Sequence, residues 1–239
     1  MTHAPGAVPV VTTFADLLDR ARERRPGGER RIIGVVGNPG SGKTTLVSAV
    51  LEALAATGDG RTDGWLAHVP MDGFHLADVE LTRLGRLDRK GAPDTFDAAG
   101  YAALLLRLHT AHGSHEIVYA PAFDRDIEQP VAGSIPVLPQ CELVLTEGNY
   151  LLLDDGAWRE VRAQLDEVWF LEADDDVRRS RLVDRHVRFG KTRTHAEAWV
   201  AEVDEPNATL IAETRSRADV LVSSSLLPAT PVRARDGGA

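Results

Sequence analysis

An apolar run, a glycine-rich turn and a lysine, in that order, constrain this chain more than any other feature. Arg31-Ile32-Ile33-Gly34-Val35-Val36 is short, apolar and β-branched, the pattern of a buried strand. Gly37-Asn38-Pro39-Gly40-Ser41-Gly42-Lys43-Thr44-Thr45 follows directly and fits G-x-x-x-x-G-K-[ST] at every fixed position. Leu46 to Leu54 then carries apolar residues at helical spacing. Glycines remove Cβ atoms, so successive backbone N–H groups can turn toward one anion. The helix that follows adds its positive end. In such a loop Lys43 neutralises β- and γ-phosphates as a point charge. The Thr44 hydroxyl offers Mg²⁺ the oxygen ligand that a hard ion prefers. The bland alternative is a strand-to-helix turn that binds nothing. Ordinary residue usage produces the pattern by accident in about one chain in a hundred of this length, and the flanking strand and helix make accident rarer still.

The rest of the chain alternates strand and helix patterns. Trp65 to Met71, Glu116 to Tyr119, Glu142 to Thr146, Glu167 to Leu171 and Ala218 to Val222 read as strands. Thr13 is placed to cap a helix to about Arg24, and Asp97 one from Ala98 to Thr110. Leu76 to Leu87 reads as irregular or helical, and Trp158 to Gln164 as helical. Asp174 to Asp176 open a helix running to Phe189, stopped near Gly190. Thr194 is the expected cap of a helix from His195 to about Val203. Residues 128–139 hold three prolines and read as an excursion with a short hairpin. Residues 1–11 read as loose, and residues 224–239 as a flexible tail. The alternation predicts an α/β fold of three layers, a mainly parallel sheet between helices, with a small helical lid. The expected organisation is an N-terminal segment and helix over 1–29, one main domain over 30–223 with its lid at about 178–195, and the tail.

The 239 residues carry a net charge of −9. That balance argues against a general nucleic-acid binder, though not against a nucleotide held by local charge. Cys141 is the single cysteine. It excludes an intrachain disulfide and a multi-cysteine metal site, and reads as core filler. No stretch is long and apolar enough to span a bilayer, and the first residues lack a secretory pattern. The expectation is a cytoplasmic protein with no membrane partner. Arg22, Arg24, Arg25, Arg30 and Arg31 read as the solvated basic end of a helix.

Three clusters can supply chemistry beside a bound polyphosphate. Asp72 stands at the end of the strand next to the phosphate loop, where a carboxylate can take a proton from an attacking hydroxyl. The alternative is a turn cap for Gly73-Phe74-His75. Glu147 ends an apolar strand and suits the metal side of the loop, directly or through water; the alternative is a turn carboxylate before Gly148. Arg178, Arg181, Arg185 and Arg188 are spaced three, four and three, along one helical face. Like charges on one face repel unless an anion sits opposite, as under a lid closed over a triphosphate; the alternative is a solvated basic face. Lys191 stands just beyond it. Candidates for holding an acceptor, besides Asp72 and Glu147, are Phe74, His75, Arg89, Lys90, Tyr119, Phe123, Arg125, Asn149 and Tyr150.

The phosphate loop, Met71-Asp72-Gly73-Phe74-His75, Arg89-Lys90-Gly91-Ala92-Pro93, Pro121-Ala122-Phe123-Asp124-Arg125, Glu147-Gly148-Asn149-Tyr150 and Arg181-Leu182-Val183-Asp184-Arg185-His186 occur in one order. In that order they resemble the phosphoribulokinase/uridine kinase/bacterial pantothenate kinase family of P-loop kinases, over roughly residues 30–222. The likeness is greatest to its nucleoside/nucleotide kinase-like or fructose-kinase-like branch. The resemblance implies ATP and Mg²⁺, transfer of the γ-phosphoryl to a hydroxyl, Asp72 as base, and Arg181 and Arg185 as lid residues on the nucleotide. Homodimers are common in that family; the sequence itself carries no sign of one. Met71 to His75 is closer to the pantothenate-kinase form than to the uridine-kinase form, while the long feedback and dimer segments of pantothenate kinase are missing. The expected activity is an ATP-dependent kinase acting on a nucleoside- or sugar-like alcohol. The alternatives are a pantothenate-like acceptor, a GTPase, or a nucleotide-sensing module without transfer. A GTPase reads guanine through an Asn/Thr-Lys-x-Asp element, and the sequence has none after its late strands.

Overall fold

The computed structural model describes residues 7–58 and 60–227. In chain order the elements are β1 (Val10–Val11), α1 (Phe14–Arg22), β2 (Arg31–Val36), α2 (Lys43–Thr57), β3 (Leu66–His68), α3 (Asp78–Leu84) and α4 (Ala98–Thr110). Then come β4 (Val118–Asp124), β5 (Gln129–Val137), β6 (Leu143–Glu147), α5 (Gly156–Ala163), β7 (Glu167–Glu172) and α6 (Asp175–Arg188). The chain closes with α7 (Arg193–Trp199), a π-helical turn (Val200–Asp204), α8 (Glu205–Ala212) and β8 (Val220–Ser223).

Six strands form one sheet in the order β1-β8-β7-β2-β6-β3, every neighbouring pair parallel. All six residues of β2 are buried, as the continuous apolar run requires of a strand covered on both faces. Its side chains alternate. Ile33 and Val35 join Leu17, Leu46, Val47 and Trp169 on the α1–α2 side. Ile32 and Val36 join Tyr101, Leu105, Val161 and Phe170 on the side of α4 and α5. Helices therefore cover both faces, giving the three-layer α/β architecture that the alternation predicts.

The local signals account for most boundaries. Thr13 accepts the Asp16 N–H at the start of α1, Asp97 accepts the Gly100 N–H at the start of α4, and Asp174 accepts from Asp176 and Val177 at the start of α6.

Several expectations are corrected. The strand expected at Glu116 to Tyr119 is outside the main sheet. β4 runs on through Pro121 to Asp124 and pairs antiparallel with β5 in a separate ribbon. Pro121, Pro130 and Pro136 lie in that ribbon. A residue without an N–H is tolerated in a two-stranded edge and not inside a central strand. β3 is not the neighbour of β2, because β6 lies between them. Val10–Val11, expected to be loose, is an edge strand on β8. The cap of α7 is Thr192, whose hydroxyl accepts the His195 N–H at 3.3 Å; Thr194 lies inside the helix. Arg30 and Arg31 are buried rather than solvated. Arg30 donates to the carbonyls of Leu108 (2.5 Å), Leu138 (2.8 Å) and Cys141 (2.8 Å), and Arg31 pairs with Glu167. Of the expected tail, Ser224–Leu226 form a 3-10 turn and Leu226 and Leu227 pack on the core; the remainder lies outside the described residues.

Candidate active site

The phosphate loop bridges the end of β2 and the first residue of α2. Gly40 and Gly42 have φ of +79° and +98°, a region that costs a side chain strain. A Cβ on Gly40 would lie 2.6 Å from the Arg178 carbonyl oxygen, and one on Gly37 would lie 2.6 Å from that of Leu171. The loop thus needs glycine for both conformation and clearance. Gly42 caps α2 without a side-chain hydrogen bond, so the first-turn N–H groups stay available to an anion. Lys43 is buried, and its Nζ donates to the carbonyls of Gly37 (2.8 Å) and Asn38 (3.2 Å). Burial lowers its pKa to about 8, with Glu147 and Asp72 opposing that shift. Asn38 Oδ1 and Ser41 Oγ are buried in the same loop without a hydrogen-bond partner among the described residues.

Thr44 Oγ1 donates to Glu147 Oε1 at 2.7 Å. β6 brings Glu147 there by running parallel beside β2, with Val35 opposite Glu147. Burial, then the Asp72 charge, pushes the Glu147 pKa up. A hydroxyl and a carboxylate beside the phosphate cradle suit Mg²⁺, which takes one or two protein oxygens and completes its shell with phosphate and water. Among the described residues no group of three or more His, Cys, Asp or Glu forms a self-contained cage, so Thr44 and Glu147 would hold the ion together with the nucleotide. The glycine cradle, Lys43 and this oxygen pair fit Mg²⁺ with ATP.

Asp72 sits on a 3-10 turn, Met71–Phe74, beyond β3. Two glycines let that turn approach its neighbours. A Cβ on Gly73 would lie 2.4 Å from the Pro121 carbonyl oxygen, and one on Gly148 would lie 2.5 Å from Met71 Cβ. Asp72 Oδ2 accepts from Arg125 Nη2 at 2.5 Å. Burial opposes ionisation of Asp72, but His75, Arg125, Lys43 and Arg185 outweigh it and hold the carboxyl below its ordinary range. His75 donates from Nδ1 to the Asp72 carbonyl oxygen at 2.8 Å. Burial also lowers the His75 pKa, with the Asp72 carboxylate opposing that shift.

These groups open into one cavity of about 540 Å³. Of the sequence candidates, Pro39, Gly40, Gly42, Lys43, Thr44, Thr45, Asp72, His75, Lys90, Phe123, Arg125, Glu147, Asn149, Arg181 and Arg185 line it. Gly37, Asn38 and Ser41 belong to the loop but are not on the cavity wall.

Four candidates lie elsewhere. Arg89 pairs with Asp94 at 2.8 Å, and Tyr119 is exposed on β4. Phe74 packs on Tyr101, and Tyr150 is fully buried with its hydroxyl donating to the Gly91 carbonyl. The arginine series divides as well. Arg178 is buried and pairs with Asp175 and Glu205, tying α6 to α8. Arg181 and Arg185 are exposed and reach the cavity, which Arg188 does not line. The cavity also includes His186, which the sequence reading noted only as the end of a motif, and Asp204, Trp199 and Asn207, which it passed over. His186 Nε2 lies 2.9 Å from Asp204 Oδ2, and Lys191 Nζ lies 4.7 Å from the Trp199 ring centre. The signal available for them was slight: His186 adjoins Arg185, and no periodic pattern marks Asp204.

No protein-family model matches the chain. A candidate uridine kinase of Schizosaccharomyces pombe is 35% identical over 195 residues, covering 80% of each chain. The uncharacterized protein YggC of Escherichia coli is 33% identical, over 81% of this chain and 77% of its own. Among solved structures, a candidate fructose transport system kinase of Silicibacter sp. TM1040 superposes with a TM-score of 0.76 at 37% identity. That match covers 88% of this chain and 99% of the other. The chain belongs to the uridine kinase/pantothenate kinase family of P-loop kinases.

Proposed function

We propose that this protein is an ATP-dependent kinase that transfers the γ-phosphoryl group to a hydroxyl of a small sugar- or nucleoside-like metabolite. The observation that carries the reading is the meeting of Asp72 with Lys43, Thr44 and Glu147 in one cavity. ATP, when bound, would supply the transferable γ-phosphoryl group, and Mg²⁺ would neutralise charge on its phosphates. Gly40, Gly42 and Lys43 would hold the phosphates, and Thr44 and Glu147 would hold the ion. Arg181 and Arg185 stand on the lid helix where charge accumulates on the transferring group. Asp72 takes the proton of the acceptor hydroxyl as its oxygen bonds to the γ-phosphorus. The bond to the β–γ bridging oxygen breaks, and that electron pair leaves with ADP. The test is ADP release across nucleosides, pentoses, hexoses and vitamin-like alcohols, with the product identified by mass. Asp72→Asn is expected to lower kcat by roughly 10²- to 10⁴-fold, the range for loss of a general base, with ATP binding retained. An Asp72→Asn protein that turns over at the parent rate would remove the base from the mechanism.

A further inference from the structure

Two cations on the cavity wall have no part in holding the nucleotide as described above. Arg125 lies over the Phe123 ring with Cζ 4.7 Å from its centre, and Lys90 Nζ lies 5.3 Å from the same centre. The Phe123 ring centre lies 4.8 Å from that of His75, the two planes tilted by 53°, beside Asp72. Neither cation is on the phosphate loop or the lid helix. Lys90 is anchored to the Asp78 carboxylate and the Glu128 carbonyl, both at 2.6 Å. Arg125 touches Asp72 through one terminal nitrogen. Its Nε and Nη1 meet no acceptor among the described residues.

That contact conflicts with the role given to Asp72. A carboxylate clamped by a guanidinium is a poor base, and a hydroxyl must replace Arg125 beside it before it can take a proton. A neutral alcohol would have to break the ion pair and leave the half-exposed Arg125 with water alone as its partner. An acceptor with its own oxyanion offers Arg125 a new partner as its hydroxyl takes the old place. The guanidinium fork suits a carboxylate or a phosphate, and the ring beneath it fixes its plane. The cavity volume lies within the range for a single drug-sized ligand, roughly 300–1,000 Å³. Here it must serve a nucleotide and an acceptor together, which favours a small acceptor.

We propose that the acceptor is a small anion, an alcohol bearing a carboxylate or phosphate ester, recognised by Arg125 with Lys90 beside it, and that its arrival exchanges the Arg125–Asp72 ion pair. This rests on the kinase reading and narrows it to a substrate class.

The experiment uses the full chain with matched probes: D-glycerate against glycerol, D-gluconate against D-glucose, and D-fructose 1-phosphate against D-fructose. Turnover is followed by ADP release. Binding is followed as a melting shift with a non-hydrolysable ATP analogue and Mg²⁺ present. The expected result is preference for the charged member of a pair, the carboxylate and phosphate arms showing which oxyanion fits. Arg125→Gln should cut the charged-to-neutral ratio of kcat/KM by roughly 10- to 100-fold, the effect of losing a charged hydrogen bond. Most of that loss should fall on KM, and Arg125→Lys should restore part of it. An unchanged melting point and unchanged ATP affinity in Arg125→Gln separate recognition from misfolding. Turnover of neutral probes at least as good as of charged ones, or an unchanged ratio in Arg125→Gln, overturns this inference and leaves the kinase reading standing. Charged probes that bind without turnover support the anion site and count against transfer. No response to any charged probe in either assay overturns the anion site.

Discussion

Lys43 carries a conflict that pH can expose. Burying its ammonium pulls the pKa down to about 8, below the ordinary lysine value. The sign for the fold follows: the buried charge costs stability below that pH, and the cost lifts as pH rises through it. Phosphate binding makes the opposite demand, because only the charged form pairs with the anion. ATP affinity should therefore fall as pH rises through about 8, with proton uptake on binding above it. Calorimetry in two buffers of different ionisation heat would detect both effects. Constant affinity across that pH would mean that Lys43 stays charged. The arginines of α6 give a second test. Arg181→Ala should lower kcat with little change in melting point. Arg178→Ala should destabilise by about 1–3 kcal/mol, the usual result of losing charged hydrogen bonds, because it cuts the buried link from α6 to Glu205 while Arg179 still pairs with that carboxylate. Equal melting points for the two variants would refute that division. The sequence shows these arginines as one stripe. It cannot show that α8 arrives 27 residues later to bury Arg178 and leave Arg181 open.

Glycines govern how closely whole elements meet at the site. Gly40 faces the α6 backbone at a distance that leaves no room for a Cβ. Gly40→Ala should push α6 off the phosphate loop and weaken ATP binding at least about tenfold, at a stability cost of about 1–3 kcal/mol for overpacking. Equilibrium binding and a denaturation curve would measure the two effects, and unchanged nucleotide affinity would show that the loop and helix move apart freely. Such approaches explain which parts of the fold were readable. α4 was readable because its cap and its leucine spacing lie within the helix itself. The phosphate loop was readable because its glycines answer a local backbone need. The β4–β5 ribbon was misread because its prolines and its apolar residues send opposite signals, and only pairing decides between them. Phe74 and Tyr150 were misread because an aromatic ring fits a core and a pocket equally well, and residue type does not reveal which way it faces.

Across the whole molecule the sheet separates stability from chemistry. The carboxyl ends of β2, β3 and β6 lead into the loop, Asp72 and Glu147, whereas Arg30 and Arg31 stand at the opposite end of β2. Arg30 serves the backbone carbonyls of Leu108, Leu138, Pro139 and Cys141 there in place of a strand or helix. Arg30→Met should cost roughly 2–4 kcal/mol by leaving those acceptors buried and unpaired, with kcat retained. Urea midpoints beside turnover would check this, and a large loss of kcat without loss of stability would show that the two ends communicate. The sheet order has another outcome. Val10–Val11 lies against Val220–Ser223, and that last strand separates it from β7. Of the six strands in this sheet, the earliest in sequence has the latest as its neighbour. A nascent chain halted anywhere before Val220 leaves Val10–Val11 without the strand it pairs with, so closure of this sheet edge waits for β8.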